Sequence, residues 1–349
     1  MQLLGLGIEM AALFVGFGLL VGILFGFFGM GGSFLVTPAL LVVGYPAPVA
    51  VGSGLAFVFG TSVIGALRHR DHGQISYSLA TVMILGMTVG IEVGTRVVFL
   101  LAEAGSADVV ISAVYVGLLG AVGLFVLRDA RTDGSDVKTS RVTTTVQTIK
   151  LPPLVSLPGG ATVSVWVILV VGSAVGTLSG WIGVGGGFLL LPVMIYGFGV
   201  PTTIAAGTSI LQIMVSGAFG TFVYAQSGAV DVSVVAVLLV GSALGARIGT
   251  GSTRLVNEAD IKGYFAGMLL AGGIATASKQ IGTAYGVETL ETVSAVLLFG
   301  TAVLVSGAIV NASINALRAE PSSVSLSQPR PDNDDSHGQY YRTDDRPLH

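Results

Sequence analysis

The sequence predicts an all-α integral membrane protein, a polytopic bundle of roughly 8–9 transmembrane helices in two homologous repeats with glycine-broken helices. Three observations carry this. Only 10% of the 349 residues are charged while 52% are hydrophobic. Apolar runs long enough to span a bilayer recur along the chain. One glycine-rich motif occurs twice, in order, with the same downstream spacing.

A soluble domain carries about 25% charged residues, because charged side chains must cover its surface. With mean hydropathy +0.85, lipid is the solvent that suits this chain. The net charge of −3 offers no basic field for nucleic acid. With no cysteine, disulfides, thiolate metal sites and cysteine nucleophiles are excluded. His69, His72, His337 and His349 all lie outside the apolar runs, so no metal site and no cofactor is expected. No Lys follows the glycine clusters and no strand precedes them, which excludes an ATP-type phosphate loop.

About 20 apolar residues span a bilayer as helix. Candidate spans are Glu9–Phe28, Val49–Leu67, Tyr77–Leu101, Val109–Leu127, Val163–Ile182, Thr203–Ala225, Val232–Gly251, Gly263–Ala277 and Thr292–Ala312. The first basic residue is Arg68, so the N-terminal run lacks the basic region of a secretion signal and reads as a membrane helix. Phe34–Val43 and Phe188–Tyr196 are too short to span. Each follows a glycine cluster and reads as a half-helix.

The expected organisation is a first transmembrane repeat over 8–128, a polar linker over 129–161, a second repeat over 162–314 and a disordered polar tail over 315–349. Gly22, Gly26, Gly29, Gly31, Gly32, Phe34, Leu35 and Pro38 align with Gly176, Gly180, Gly183, Gly185, Gly186, Phe188, Leu189 and Pro192. After a one-residue insertion, Pro46, Gly52, Gly86, Gly90, Gly94 and Thr95 align with Pro201, Gly207, Gly241, Gly245, Gly249 and Thr250. Matching prolines and a register this long make chance a poor explanation.

Basic residues sit in the Arg68–His72 loop and at Arg128 and Arg131, while the Glu103–Asp108 loop is acidic. The positive-inside rule makes the linker cytoplasmic and the Glu103 loop external. The loop with Arg254 and Lys262 also holds Glu258 and Asp260. Parallel repeats put it outside, against the rule; inverted repeats put it inside but require one more crossing. Four full spans per repeat favour parallel units, and the sequence leaves both arrangements open.

Gly29-Met30-Gly31-Gly32-Ser33 and Gly183-Val184-Gly185-Gly186-Gly187 are the leading candidate site. A glycine break frees backbone N–H groups at the start of the next half-helix, and these suit a small oxyanion. Pro38 and Pro192 close the motifs. The other glycines read as helix packing. The following helices carry Ser53, Thr61 and Ser62 in one half and Thr208, Ser209, Gln212 and Ser216 in the other; substrate contact and interhelical hydrogen bonding are equally open for them. Glu92 and Arg96 are four apart and form a candidate charge pair, with Arg247 at the repeat position of Glu92.

The segments GFFGMGGSFLVTPALL at Gly26–Leu41 and GWIGVGGGFLLLPVMIYGFGVPTTIAAGTSI at Gly180–Ile210 resemble those of the sulfite exporter TauE/SafE family of membrane permeases. The resemblance runs from about Gly16 to Ala312. The second copy keeps Ala205-Ala206-Gly207-Thr208-Ser209, where the first reads Ala50-Val51-Gly52-Ser53-Gly54. It implies a secondary carrier for sulfite or other organosulfur or sulfur oxyanions. The expected partners are the lipid bilayer and a small anionic substrate, not nucleic acid; a coupling ion and a homo-oligomer stay open. An enzyme is not expected, since no second acid accompanies Glu92 and no nucleophile–base pair is available. The alternative is a non-transporting membrane scaffold or receptor component.

Overall fold

The computed structural model describes residues 2–3, 6–28, 32–70, 75–131, 151–158, 162–252 and 258–319. The helices are α1 (Ile8–Phe28), α2 (Val36–Val43), α3 (Ala47–Arg70), α4 (Tyr77–Glu103), α5 (Ala107–Arg131), α6 (Val165–Ile182), α7 (Gly187–Pro192), α8 (Thr202–Gln226), α9 (Val232–Ser252), α10 (Glu258–Tyr285) and α11 (Glu288–Ala319). A 3-10 turn, Gly32–Leu35, leads into α2, and a π turn, Val193–Gly197, extends α7. Seven of the described helices are long and apolar enough to cross a membrane. The protein is an all-α polytopic membrane protein. The expected spans Val49–Leu67 and Gly263–Ala277 are helical, as α3 and α10, but fall outside those seven; only Ala47–Val63 of α3 qualifies, as a shorter apolar helix.

Two small antiparallel ribbons were not expected. β1 (Gln2–Leu3) pairs with β2 (Leu6–Gly7), and β3 (Leu154–Ser156) pairs with β4 (Thr162–Ser164). Of the second ribbon, β3 lies in the stretch expected as linker, 129–161, while β4 takes Val163 from the expected span, so the helix starts at Val165. Its apolar side chains explain it: Leu157 and Val163 are buried with Ile168, Met194 and Phe198. Residues 132–150 and 159–161 of the linker, and 320–349 of the tail, lie outside the described residues.

The most extensive packing is between α1 and α9 and between α4 and α6. Gly18, Gly22 and Gly26 of α1 lie against the backbone of Leu238, Ser242 and Ala246 of α9. The contact numbers rise together, so these helices run parallel. Gly172, Gly176 and Gly180 of α6 lie in the same way against Met83, Met87 and Ile91 of α4. The partner helices return the contact: Gly241, Gly245 and Gly249 meet Val15, Leu19 and Ile23, and Gly86, Gly90 and Gly94 meet Leu169, Ser173 and Thr177. Glycines four apart share one helix face. They let two backbones approach where the hydrophobic effect drives nothing together, because lipid is as apolar as leucine.

α3 and α8 cross with the opposite sense. Leu55 meets Gly220 and Phe59 meets Gly217, so they run antiparallel. α5 and α10 are also antiparallel, with Gly123 against Leu270 and Leu119 against Gly273. α1 and α2 form a hairpin that brings the chain back to where it began, for the Phe14 and Tyr45 rings meet at 6.3 Å. At that end the Asp108 carboxylate accepts from the Ala47 N–H at 3.0 Å.

Candidate functional site

α6 ends inside the protein because Gly183, Gly185 and Gly186 take positive φ (73°, 65° and 79°). A side chain in that conformation costs about 1–2 kcal/mol, so glycine is the residue that turns the chain here. The Gly183 N–H bonds the Ser179 carbonyl at 2.8 Å and closes the helix. α7 then starts after Gly186, and Pro192 carries its last turn.

A helix C-terminus leaves carbonyls without partners. Two tyrosines that the sequence did not flag supply them. The Tyr224 hydroxyl of α8 donates to the Gly180 carbonyl at 2.6 Å, and the Tyr115 hydroxyl of α5 donates to the Ile182 carbonyl at 2.7 Å. Both rings are fully buried. Their periodicity in an apolar helix is that of ordinary core residues, so no sequence signal marked them. Ser216 of α8 donates weakly to the Gly185 carbonyl at 3.3 Å.

The hydroxyl and amide residues divide by what they bond. Ser53 accepts from the Asp231 N–H at 2.9 Å, and Thr208 accepts from the Ser76 N–H at 3.0 Å. Each holds the start of a neighbouring helix, α9 and α4 respectively. Ser209, Thr61 and Ser62 donate back into their own helices, Ser209 to the Ala206 carbonyl at 2.8 Å. Gln212 differs from all of them. It is fully buried on α8, and neither its Nε2 nor its Oε1 has a partner. It lies one turn from Thr208 and one from Ser216, on the same helix face. Ser179 is also buried with an unpartnered hydroxyl and Trp181 with an unpartnered Nε1, while the Thr37 and Thr95 hydroxyls stand beside those of Tyr115 and Tyr224. Thr37 and the Gly183 carbonyl both lie against Gly54.

Of the first glycine motif, Gly32 opens the 3-10 turn with Ser33, and Pro38 is buried in α2. Gly29 and Gly31 lie outside the described residues. Gly187 is the first residue of α7. Glu92 and Arg96 pair at 2.7 Å on α4, with the Arg96 side chain 75% exposed. Arg247 is exposed on α9, apart from them. Apart from Tyr115 and Tyr224, the buried polar side chains among the described residues are Ser, Thr or Gln. No cluster of three His, Asp or Glu that could hold a metal is found among the described residues.

Parallel, glycine-packed helices with a broken helix end and an unpaired amide inside the bundle define a polytopic membrane transporter of small solutes. The sequence model of the sulfite exporter TauE/SafE family matches residues 14–276. The chain belongs to that family, and it is not an enzyme. It is 30% identical over 238 residues to a probable membrane transporter protein of Xylella fastidiosa, covering 68% of this chain and 82% of the relative. The probable membrane transporter protein YjnA of Bacillus subtilis is 25% identical over 267 residues, covering 74% and 96%. A probable membrane transporter protein of Methanocaldococcus jannaschii is 28% identical over 184 residues, covering 51% and 58%. No solved structure matches.

Proposed function

We propose that this protein is a secondary carrier for a small anion, sulfite or another organosulfur or sulfur oxyanion, working by alternating access between two repeats over 8–128 and 162–314. The observation that carries the site is Gln212. A buried amide left unpaired costs about 1–3 kcal/mol. Such groups in native proteins meet a ligand or water. Its NH2 group donates to an anion, and Ser216 and the glycine break at Gly183–Gly187 stand next to it along α8. With Thr208 and Ser209 one turn away, the site is polar and uncharged.

Inverted repeats are supported by the packing. α3 and α8 occupy the same place in the two repeats and run antiparallel. The glycine contacts of α1 with α9 recur, residue for residue at the repeat offset, as those of α6 with α4. So do the two hydrogen bonds Asp231 N–H to Ser53 and Ser76 N–H to Thr208. Inversion needs an odd number of crossings in the first repeat; because α1 and α2 make a returning hairpin, three, α3, α4 and α5, remain. On this reading the two units are inverted rather than parallel. It also gathers Arg70, Arg128, Arg131 and Lys262 at one end, and Glu103, Asp108, Asp231 and Glu288 at the other. By the positive-inside rule the basic end, with the linker 129–161, is cytoplasmic.

Two such repeats meeting at a broken helix are the usual frame for alternating access. The test is flux into proteoliposomes of sulfite, thiosulfate and sulfonates, with and without a proton gradient. Saturable flux of one of these is expected. Absence of flux for all of them, in vesicles where insertion is verified, refutes the carrier reading in favour of a scaffold or receptor.

A further inference from the structure

α4 is 27 residues long, about 40 Å of helix against a hydrocarbon core of about 30 Å. Leu85, Val89, Val93 and Leu100 are exposed along one stripe of it, the face that a bilayer covers. Arg96 stands in the same stripe, with its side chain 75% exposed. Glu103 ends the helix two turns further on, so Arg96 lies about 10 Å from the acidic end. With α4 centred on the core, that is about 5 Å inside the hydrocarbon, a depth from which an arginine reaches the phosphate level by extending its side chain. Glu92 holds the Arg96 Nε at 2.8 Å and one terminal nitrogen at 2.7 Å, both through its Oε1. A guanidinium has about five N–H donors, so others remain for a second anion.

Two clefts between α4 and α8 meet at Glu92 and Arg96. The one toward the acidic end has a volume of about 580 Å³, and its walls include Glu103, Gln226 and Ser227. The one toward the middle of the bilayer has a volume of about 360 Å³ and is lined, beside the ion pair, by Val89, Val93, Phe219 and Thr88. The Thr88 hydroxyl donates back to the Ile84 carbonyl at 2.8 Å, so this wall presents carbon. The groove is therefore polar on the acidic side of Arg96 and apolar on the other. That is the order of a phospholipid: headgroup, phosphate, acyl chain. Two carboxylates face one guanidinium, and Glu103 makes no ion pair among the described residues. An anionic headgroup would be repelled by Glu103. A zwitterionic headgroup with a primary ammonium matches both signs, its phosphate on Arg96 and its ammonium on Glu103.

We propose that one phosphatidylethanolamine molecule, from the leaflet at the acidic end, occupies the α4–α8 groove, with its phosphate on Arg96, its ammonium on Glu103 and an acyl chain over Val89, Val93 and Phe219. The assignment does not rest on the carrier reading. The full-length protein is stripped of lipid in detergent and titrated with palmitoyl-oleoyl phosphatidylethanolamine, phosphatidylcholine or phosphatidylglycerol, and native mass spectrometry reads the affinity of the first adduct. Saturable binding of the ethanolamine lipid is expected, about tenfold tighter than that of the choline or glycerol lipid. Arg96→Gln should weaken it about tenfold and Arg96→Lys about threefold or less, since either cation meets a phosphate. Glu103→Gln should bring the ethanolamine and choline lipids to within about twofold of each other, because the remaining wall does not distinguish the two ammonium groups. Glu288→Gln removes an exposed acid at the same end and should leave the preference intact. Each variant is first shown to be monodisperse by size exclusion. Equal binding of the three lipids, tighter binding of the glycerol lipid, or an ethanolamine-lipid affinity that Arg96→Gln leaves unchanged overturns the site. If Arg96→Gln does not fold, Glu103→Gln decides: a preference for the ethanolamine lipid that survives it, or that Glu288→Gln abolishes equally, overturns the assignment.

Discussion

Replacing Gln212 by methionine should make the protein more stable and stop it working. Methionine keeps the length and flexibility of the side chain and removes both polar atoms. In the native protein those atoms, Nε2 and Oε1, are buried at zero exposure with no partner. Each unsatisfied buried group costs about 1–3 kcal/mol, and an apolar group of similar shape removes that cost. Taking the low end for both atoms gives a gain of about 2 kcal/mol, roughly a thirtyfold shift toward the folded state. Thermal unfolding in one detergent, followed by size exclusion, reads the stability; oxyanion flux in proteoliposomes reads the function. The expected pair is a higher melting temperature with flux reduced at least tenfold. A Gln212→Met protein that melts lower would mean the amide is satisfied in the empty protein. One that transports normally would remove Gln212 from the site.

Gly245→Ala should cost about 3 kcal/mol or more, because its Cβ would press on the Leu19 carbonyl and stand 2.8 Å from the Ile23 nitrogen. Gly117→Ala, with nothing within 4 Å of its Cβ, should be neutral or slightly stabilising in the same melt. Equal effects of the two would argue against close α1–α9 packing. Tyr115→Phe leaves the Ile182 carbonyl without its donor and should destabilise by about 1–2 kcal/mol; an unchanged melting temperature would mean that bond contributes little. Arg96→Gln breaks an exposed ion pair and should shift stability by less than about 1 kcal/mol, so a drop of several degrees would show the pair to be less solvated than its exposure indicates.

Membrane class and family were legible in the sequence because both depend on composition and local motif. Lipid selects apolar runs of fixed length, and the Gly–Pro motifs are contiguous. The break after Ile182 was legible for the same reason: positive φ at Gly183, Gly185 and Gly186 is a local demand of the backbone. Glu92 and Arg96 are one helical turn apart, which is also local. The β3–β4 ribbon was missed because its apolar residues are few and sit among Pro, Gly and Ser, where only burial under the bundle makes a strand worthwhile.

The sequence by itself determined that this is a polytopic membrane protein, that one helix ends at Ile182, and which family it belongs to. Only the tertiary structure decided which helices lie against which, and in which direction. Glycines at a spacing of four mark a face but not its partner, so α1 on α9 and α4 on α6 could not be read from the spacing. The same holds for the site. Ser53, Thr208 and Gln212 are chemically alike in sequence, yet the first two are occupied by backbone N–H groups far along the chain and Gln212 is not. Whether a buried polar atom is free to meet a substrate depends on every other group that reaches it, and that count exists only once the chain is packed.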